Sequence, residues 1–414
     1  MKIAVVGSGI SGLGAAWLLS REHAVTVFEA NDHVGGHTHT HDIELGGRNY
    51  RVDTGFIVCN PDHYPNFFRM LGELGVEVQD TTMSFAVRNE RSGLEYNATD
   101  LDRLFVQRRN LVSPRFWSMV RGILKFYREA PALLDLPGQG PDLGDYLETN
   151  GYSAAFRDDH LVPMASALWS SPSAQILKFP AKYLVAFMAN HQMMVTGDRK
   201  PWRVLRGGSS SYVRALLAKA AFSVRTNTPV RSVRRDEHGI DVQIDGGRER
   251  FDQIVFACHG DQALALLADP SERERDILGA LRFQDNDTVL HTDVRLLPKR
   301  RKTWAAWNAL MLDDDRNQCT VTYDMNQLQG IVAPENFCVT LNCTDRIDPA
   351  KILKRLCYQH PIYTRESVAA QARRDEISGR QRTWYAGAYW GWGFHEDGMR
   401  SAVDVARGLG IRWG

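Results

Sequence analysis

Residues 2–30 read KIAVVGSGISGLGAAWLLSREHAVTVFEA, and this stretch constrains the fold more than any other. Ile3, Ala4, Val5 and Val6 form a short apolar run suited to one buried parallel strand. Gly7, Gly9 and Gly12 follow in G-x-G-x-x-G spacing. The first glycine permits a tight turn, the second lets a pyrophosphate approach the backbone, and the third lets the next helix pack on the strand. That helix is expected over about residues 11–21, with Ile10 and Ser11 at its start, where free N–H groups and the positive end of the dipole face a phosphate. A second strand, residues 25–28, ends at Glu29 and Ala30. An acid at that distance accepts hydrogen bonds from an adenosine ribose and disfavours a 2′-phosphate. NADP is therefore set aside, and FAD and NAD remain. The alternative is a chance glycine-rich turn, which does not account for the strand–turn–helix–strand frame.

Glu29-Ala-Asn-Asp-His-Val-Gly35-Gly36-His37-Thr38-His39-Thr40 follows, and it resembles the second fingerprint of the flavin-containing amine oxidase superfamily. That superfamily includes monoamine oxidases, phytoene desaturases and protoporphyrinogen oxidase. His37 stands where Arg is usual, and Thr40 takes the hydroxyl position. Asp53-Thr54-Gly55 resembles the superfamily's D-x-G turn near the flavin. Residues 228–233 and 251–260 resemble the strand set over the adenine, with the Val230 backbone facing it. Residues 384–401, WYAGAYWGWGFHEDGMRS, resemble the third fingerprint and lead into a helix to about residue 409. The resemblance implies FAD contacts at Gly387, Gly398 and Met399, with Ala388 replacing the usual acid. A helix N-terminus there suits the negative charge of a reduced flavin.

The implied architecture is α/β: a Rossmann-like, doubly wound FAD-binding domain with an inserted α+β substrate domain. The expected flavin domain is discontinuous, residues 1–86, 203–282 and 376–414. Residues 87–202 and 283–375 form the substrate domain. A strand is expected over residues 76–86 and a helix over 352–357. The closer likeness, carried by VPMASALWSSP, FMANHQMM, WRVLRGGSS and AYWGWGFHEDGMRSA, is to bacterial amine oxidase-like proteins. The same segments resemble the N-terminal domain of plant cyclopropane fatty-acid synthases. This implies lipid acyl-chain chemistry, with association with a fatty-acid methyltransferase-type enzyme, and it rests on analogy.

For the reaction, the resemblance implies hydride transfer to flavin N5 from an apolar substrate, a lipid acyl chain among them. Monoamine oxidases place a Lys near N5; here the comparable strand reads VLHT, and His291 is the titratable candidate. A strand histidine that satisfies its neighbours is the alternative. Phe394 falls near the position of an aromatic-cage tyrosine. The expected cavity is elongated and apolar, walled partly by Met164, Trp169, Met193 and Met194. A true amine oxidase acting on a small amine or polyamine stays open, with Tyr389, Trp390, Trp392 and Phe394 as a partial cage. A non-catalytic flavoprotein accessory to a lipid-modifying enzyme stays open too.

Composition narrows the partners. The net charge is +1, which gives nucleic acid no basic field to bind. No apolar run approaches the ~20 residues of a membrane span, and residue 1 runs directly into a strand, so neither a spanning helix nor a signal peptide is expected. Six cysteines without a C-x-x-C suggest neither a metal site nor a disulfide framework, and a cytoplasmic setting fits. Residues 113–134 form an Arg-flanked amphipathic helix, and residues 298–302 read PKRRK. Either could touch the inner face of a membrane, although such segments are usually just packed or solvated.

Overall fold

A computed structural model describes residues 1–169, 173–194, 201–313 and 319–414. Residues 170–172 and 195–200, at the ends of the two Met- and Trp-rich segments, lie outside the described residues.

The first strand, Lys2–Val6, is the middle of a five-stranded sheet whose order is 223–225, 24–28, 2–6, 253–256, 383–385. Every pairing in it is parallel. A strand buried on both faces can be continuously apolar, and Ile3, Ala4 and Val5 have no exposed surface. The helix Ile10–Leu19 returns over this sheet and packs against the last helix, His395–Gly408. Close approach is possible because a Cβ on Gly14 would sit 2.7 Å from Met399 Sδ. An antiparallel three-stranded sheet, Val230–Asp236, Gly239–Ile244 and Gly247–Phe251, adjoins the strands Lys2–Val6 and Gln253–Phe256. The fold is thus a doubly wound α/β domain carrying a second, mixed layer.

That second layer is a seven-stranded sheet of order 352–361, 283–291, 338–341, 319–324, 307–311, 85–89, 94–97. Helices between residues 101 and 190 cover it, with Phe126, Phe156, Leu184 and Met188 at their core. Three local expectations are corrected. The strand expected over 76–86 is two strands in different sheets: Val78–Thr81 pairs with Trp202–Leu205, and Phe85–Asn89 pairs with Trp307–Met311. The helix expected at 352–357 is part of the strand Ile352–Pro361, which pairs antiparallel with Phe283–His291. Its apolar positions fit a helical face, but a nine-residue neighbour offers it a full ladder of hydrogen bonds. The helix over 113–134 is α-helical for Pro114–Glu129 and tightens to a 3-10 turn at Ala130–Asp135, where Pro131 has no N–H to continue it.

Candidate FAD-binding active site

The three glycines of the first turn have separable jobs. Gly7 has φ +101°, and a Cβ there would meet Ala257 O at 2.9 Å. A Cβ on Gly12 would lie 1.9 Å from Gly7 O, so Gly12 exists for helix–strand contact. Gly9 has φ −66° and nothing within 4 Å of its would-be Cβ among the described residues. Neither backbone nor packing requires glycine at this position; it opens on a cavity of about 940 Å³.

Glu29 is buried beside this turn and accepts four hydrogen bonds, from Ser8 N (3.0 Å), Ser8 Oγ (2.6 Å), Asn31 N and Asn31 Nδ2 (2.9 Å each). Ser8 Oγ in turn accepts from Gly35 N at 3.2 Å, which ties the first fingerprint to the second. A Cβ on Gly36 would fall 3.0 Å from Gly9 Cα, so the two glycine loops touch. Gly7, Gly9, Ile10, Ser11, Glu29, Ala30, Gly35, Gly36, His37, Gly55, Val230, Gly387 and Phe394 all line the cavity.

The remaining candidates stand behind the wall. Gly12 and Met399 are packing positions, as described above. Gly398 lets the last helix approach, since its Cβ would meet Ile10 Cγ2 at 2.7 Å and Ser11 Oγ at 2.8 Å. Thr40 Oγ1 donates to Asp53 Oδ1 (2.5 Å) and accepts from Ser210 N (2.9 Å). Asp53 also accepts from Ser209 N and Oγ and from Gln329 Nε2. Burial raises the Asp53 carboxyl to about 6 against these bonds. Thr54 Oγ1 is hydrogen-bonded with Tyr358 Oη at 2.7 Å. Thr40, Asp53 and Thr54 therefore fasten the hairpin Thr40–Leu45 and Arg48–Asp53 to its neighbours.

His291 is the main correction. It has no exposed surface and lies inside the seven-stranded sheet, away from the cavity lining. Its Nε2 bonds with Thr340 Oγ1 at 2.7 Å and its Nδ1 accepts from Asp293 N at 3.0 Å. Both ring nitrogens are used, and burial lowers its pKa to about 4, so it is a neutral structural residue. Of the four expected wall residues, Trp169 lines the cavity; Met164 packs in the helical core, with Met193 and Met194 against it.

Beyond His37, sequence reasoning missed a band of imidazoles. His33, His37, His39, His259, His360 and His395 line the cavity, with Tyr358 and Gln359 among them. The alternating His37, His39 and His41 were the visible signal; His360 was hidden by the misread strand. His33 and His39 stack at 4.1 Å between centroids, and His39 and His41 lie 4.0 Å apart. Burial, then neighbouring histidines, lower His37 and His39 to about 4 and His360 to about 3. Burial lowers His259 to about 4, and His395 also falls well below its ordinary value. Glu29 and Asp285 are the carboxylates on the wall, and no Lys or Arg is on it among the described residues.

His395 opens the last helix. Its ring stacks on Phe56 at 3.4 Å between centroids, and its Nε2 bonds with Thr38 Oγ1 at 2.9 Å. Asp397 accepts from Phe394 N and Trp392 N (3.1 Å each), and Glu396 accepts from Asn66 N and Phe67 N. Two helix N-termini, at Ile10 and His395, thus converge on the cavity. The remaining wall is apolar and aromatic: Ile57, Val58, Leu168, Trp169, Trp307, Tyr323, Trp392 and Phe394. Trp307 and Tyr323 are cross-strand partners with rings 5.2 Å apart at 88°. Phe394 stacks on Phe187 at 5.0 Å.

FAD fits these residues: an open glycine turn, a buried acid at the end of the second strand and a second helix N-terminus surround one cavity. Residues 10–289 match the family model for flavin containing amine oxidoreductases. A 4,4'-diapophytoene desaturase (4,4'-diaponeurosporene-forming) of Staphylococcus aureus strain MRSA252 is 37% identical over 109 residues, 25% of this chain and 21% of that protein. Its counterpart in strain bovine RF122 / ET3-1 is 43% identical over 75 residues, 18% of this chain and 14% of that protein. The matched part therefore spans about a fifth or less of these curated relatives. Among solved structures, a putative protoporphyrinogen oxidase from Exiguobacterium sp. 255-15 superposes with a TM-score of 0.69 at 18% identity, over 99% of this chain and 98% of that one. The CLA-producing fatty acid isomerase from P. acnes gives 0.67 at 18%, over 98% of both chains. Cyclohexylamine oxidase from Brevibacterium oxydans IH-35A gives 0.69 at 16%, over 99% of both. At such identities the structural likeness is one of fold, and the family match adds the rest: the chain belongs to the flavin-containing amine oxidoreductase family.

Proposed function

We propose that the protein is an FAD-dependent oxidoreductase acting on an apolar substrate of the acyl-chain class. Bound FAD supplies the hydride acceptor. The observation that carries the substrate reading is the apolar and aromatic stretch Ile57, Val58, Leu168, Trp169, Trp307, Tyr323, Trp392 and Phe394 in a cavity whose lining holds two carboxylates, Glu29 and Asp285, the first of them engaged by Ser8 and Asn31. An ammonium substrate wants a carboxylate or a full aromatic cage. An acyl chain needs shape and dryness, with ~0.8 kcal/mol gained per buried CH₂. Phe394 stands at the cage position without a hydroxyl. The chain's own residues would orient the substrate, exclude water and keep the histidine band neutral. The relative named as a diapophytoene desaturase and the neighbour named as a fatty acid isomerase support this reading by the apolar substrates in their names.

A second reading, an amine oxidase, is favoured by Tyr389, Trp392 and Phe394 together on the wall and by the fold shared with cyclohexylamine oxidase. Anaerobic mixing separates the two. Acyl substrates carried on cyclodextrin should bleach the oxidised flavin band, and short amines and polyamines should not. Bleaching by amines alone would overturn the acyl-chain reading. Bleaching by neither class would leave a flavoprotein accessory to another lipid-modifying enzyme.

A further inference from the structure

The helix Pro114–Glu129 turns Phe116, Met119, Gly122 and Phe126 inward. It packs so closely that a Cβ on Gly122 would lie 2.5 Å from Phe156 Cβ. Its outer stripe is Trp117, Arg121, Leu124 and Arg128, spaced three or four residues apart on one face. Leu124 is 55% exposed and Trp117 38%. The stripe runs on at its N-terminal end into Leu111 and Val112, which are 49% and 84% exposed, and Trp117 Nε1 donates to Leu111 O at 2.9 Å. With Leu101, five of the eight large apolar side chains exposed among the described residues fall within residues 101–124. Scattered apolar side chains are ordinary on a surface; a concentration with a rim of charge is not.

The rim is cationic. Residues 101–128 and 298–302 hold eleven Lys and Arg against one acid, Asp102, in a chain of net charge +1. The fold joins the two segments at that acid, since Asp102 pairs with both Arg108 and Lys302. Arg103 pairs with Asp100, Arg115 with the buried Asp159, Arg300 with the buried Glu95, and Lys125 and Arg128 with Glu129. Arg121 and Arg301 stay exposed, Arg301 lying over Trp304.

We propose that this face docks on an anionic phospholipid bilayer, with Leu111, Val112, Trp117 and Leu124 entering the interface and the surrounding cations meeting lipid phosphates. It rests on the acyl-chain reading for its purpose, because a membrane-seated enzyme reaches chains held in the bilayer. Charge complementarity selects the occupant: a purely apolar partner leaves the exposed Arg121 and Arg301 unmatched, and nucleic acid leaves the apolar stripe unmatched.

The experiment is sedimentation of the flavin-loaded protein with vesicles of phosphatidylcholine alone, or mixed with phosphatidylglycerol, at low and high salt. Wild type should sediment with the anionic vesicles at low salt and be released by high salt. Arg121→Gln with Arg128→Gln should bind roughly 25-fold more weakly, about fivefold per charge. Val112→Ser with Leu124→Ser should also lose binding. Both variants should keep the wild-type flavin spectrum, since none of these residues lines the cavity. Absence of wild-type binding to anionic vesicles, or unchanged binding by both double variants, overturns the docking face. Cyclodextrin-delivered acyl substrates keep the two readings apart. Flavin reduction without vesicle binding sinks the docking face alone; vesicle binding without reduction supports it while the acyl-chain reading falls.

Discussion

Gly9 and Gly12 belong to one motif, yet their replacement should have opposite consequences. Gly9 has φ −66° and ψ 179°, a conformation any L-residue adopts, and its Cβ would project into open cavity space. Gly9→Val should therefore leave the FAD-free protein within about 1 kcal/mol of wild type, the reduced unfolded-chain entropy working against the weaker N-cap that Val makes for the first helix. Gly12→Ala places a Cβ 1.9 Å from Gly7 O, so backbone must move, at a cost of roughly 1–3 kcal/mol or more. The assay is thermal and urea unfolding of both variants with and without FAD. Wild type should gain about 2.7 kcal/mol at a free FAD concentration 100 times its Kd. Gly9→Val should show an FAD-free transition close to that of wild type, no gain on adding FAD, and no yellow colour. Gly12→Ala should show a lowered FAD-free transition. A yellow Gly9→Val protein with the full FAD-linked gain would refute the cradle, and so would a Gly9→Val protein as destabilised as Gly12→Ala.

His291→Ala should cost roughly 1–3 kcal/mol by leaving the buried Asp293 N–H without its acceptor and Thr340 with Thr322 alone, with flavin reduction rates unchanged; a rate loss without a stability loss would return His291 to the active site. Acidification should destabilise the FAD-free fold between pH ~6.5 and ~4. His37, His160, His259 and His291 are each lowered from 6.5 to about 4, so the unfolded chain takes up protons first. Their stabilisation is complete above 6.5 and falls by about 1.4 kcal/mol per pH unit for each histidine as pH drops through the window. Asp53, raised from 3.8 to about 6, works in the opposite sense, and so do Asp159, Glu396 and Asp397, whose carboxyls burial also raises; His39, His191 and His360 add to the histidine side, which outweighs them. Urea midpoints that stay level from pH 7 to pH 4.5 would contradict these assignments.

The nucleotide end was legible because its signals are local. Glycine spacing, a four-residue apolar run and an acid at the strand's end all act within residues 2–30, and the strand Lys2–Val6 and the helix Ile10–Leu19 follow them closely. The substrate side was less legible because distant partners decide it. Residues 352–357 offer a plausible helical face, and only the pairing of Ile352–Pro361 with Phe283–His291 makes them strand. The same misreading hid Tyr358, Gln359 and His360 from the site. Residues 161–172 read equally well as core or as pocket wall, and which side chains face the cavity depends on which face the core takes. Met164 went to the core, and Leu168 and Trp169 went to the wall. His291 had the right residue type on the right strand, but the cross-strand Thr340 claims it.

The cavity meets a dinucleotide without Lys or Arg among its described lining residues, and that carries its own consequence. A pyrophosphate brings negative charge to the loop where Gly36 touches Gly9, one residue from His37. The helix Ile10–Leu19 offers N–H groups and about half a positive charge at its N-terminus. His37 offers none at neutral pH, since burial and His259 hold it at about 4. An anion nearby favours the imidazolium and raises that value in the complex. FAD binding should therefore take up a proton, and affinity should rise as pH falls from the bound-state pKa toward 4, by at most about tenfold per pH unit. Calorimetric titration of the FAD-free protein, in buffers of different ionisation enthalpy, measures the uptake directly. His37→Asn should abolish the uptake and flatten the profile. His37→Arg should bind FAD more tightly than wild type, with no pH dependence from this position. Wild-type affinity as flat with pH as that of His37→Asn would mean that backbone and helix termini alone hold the pyrophosphate, and that His37 contributes only shape.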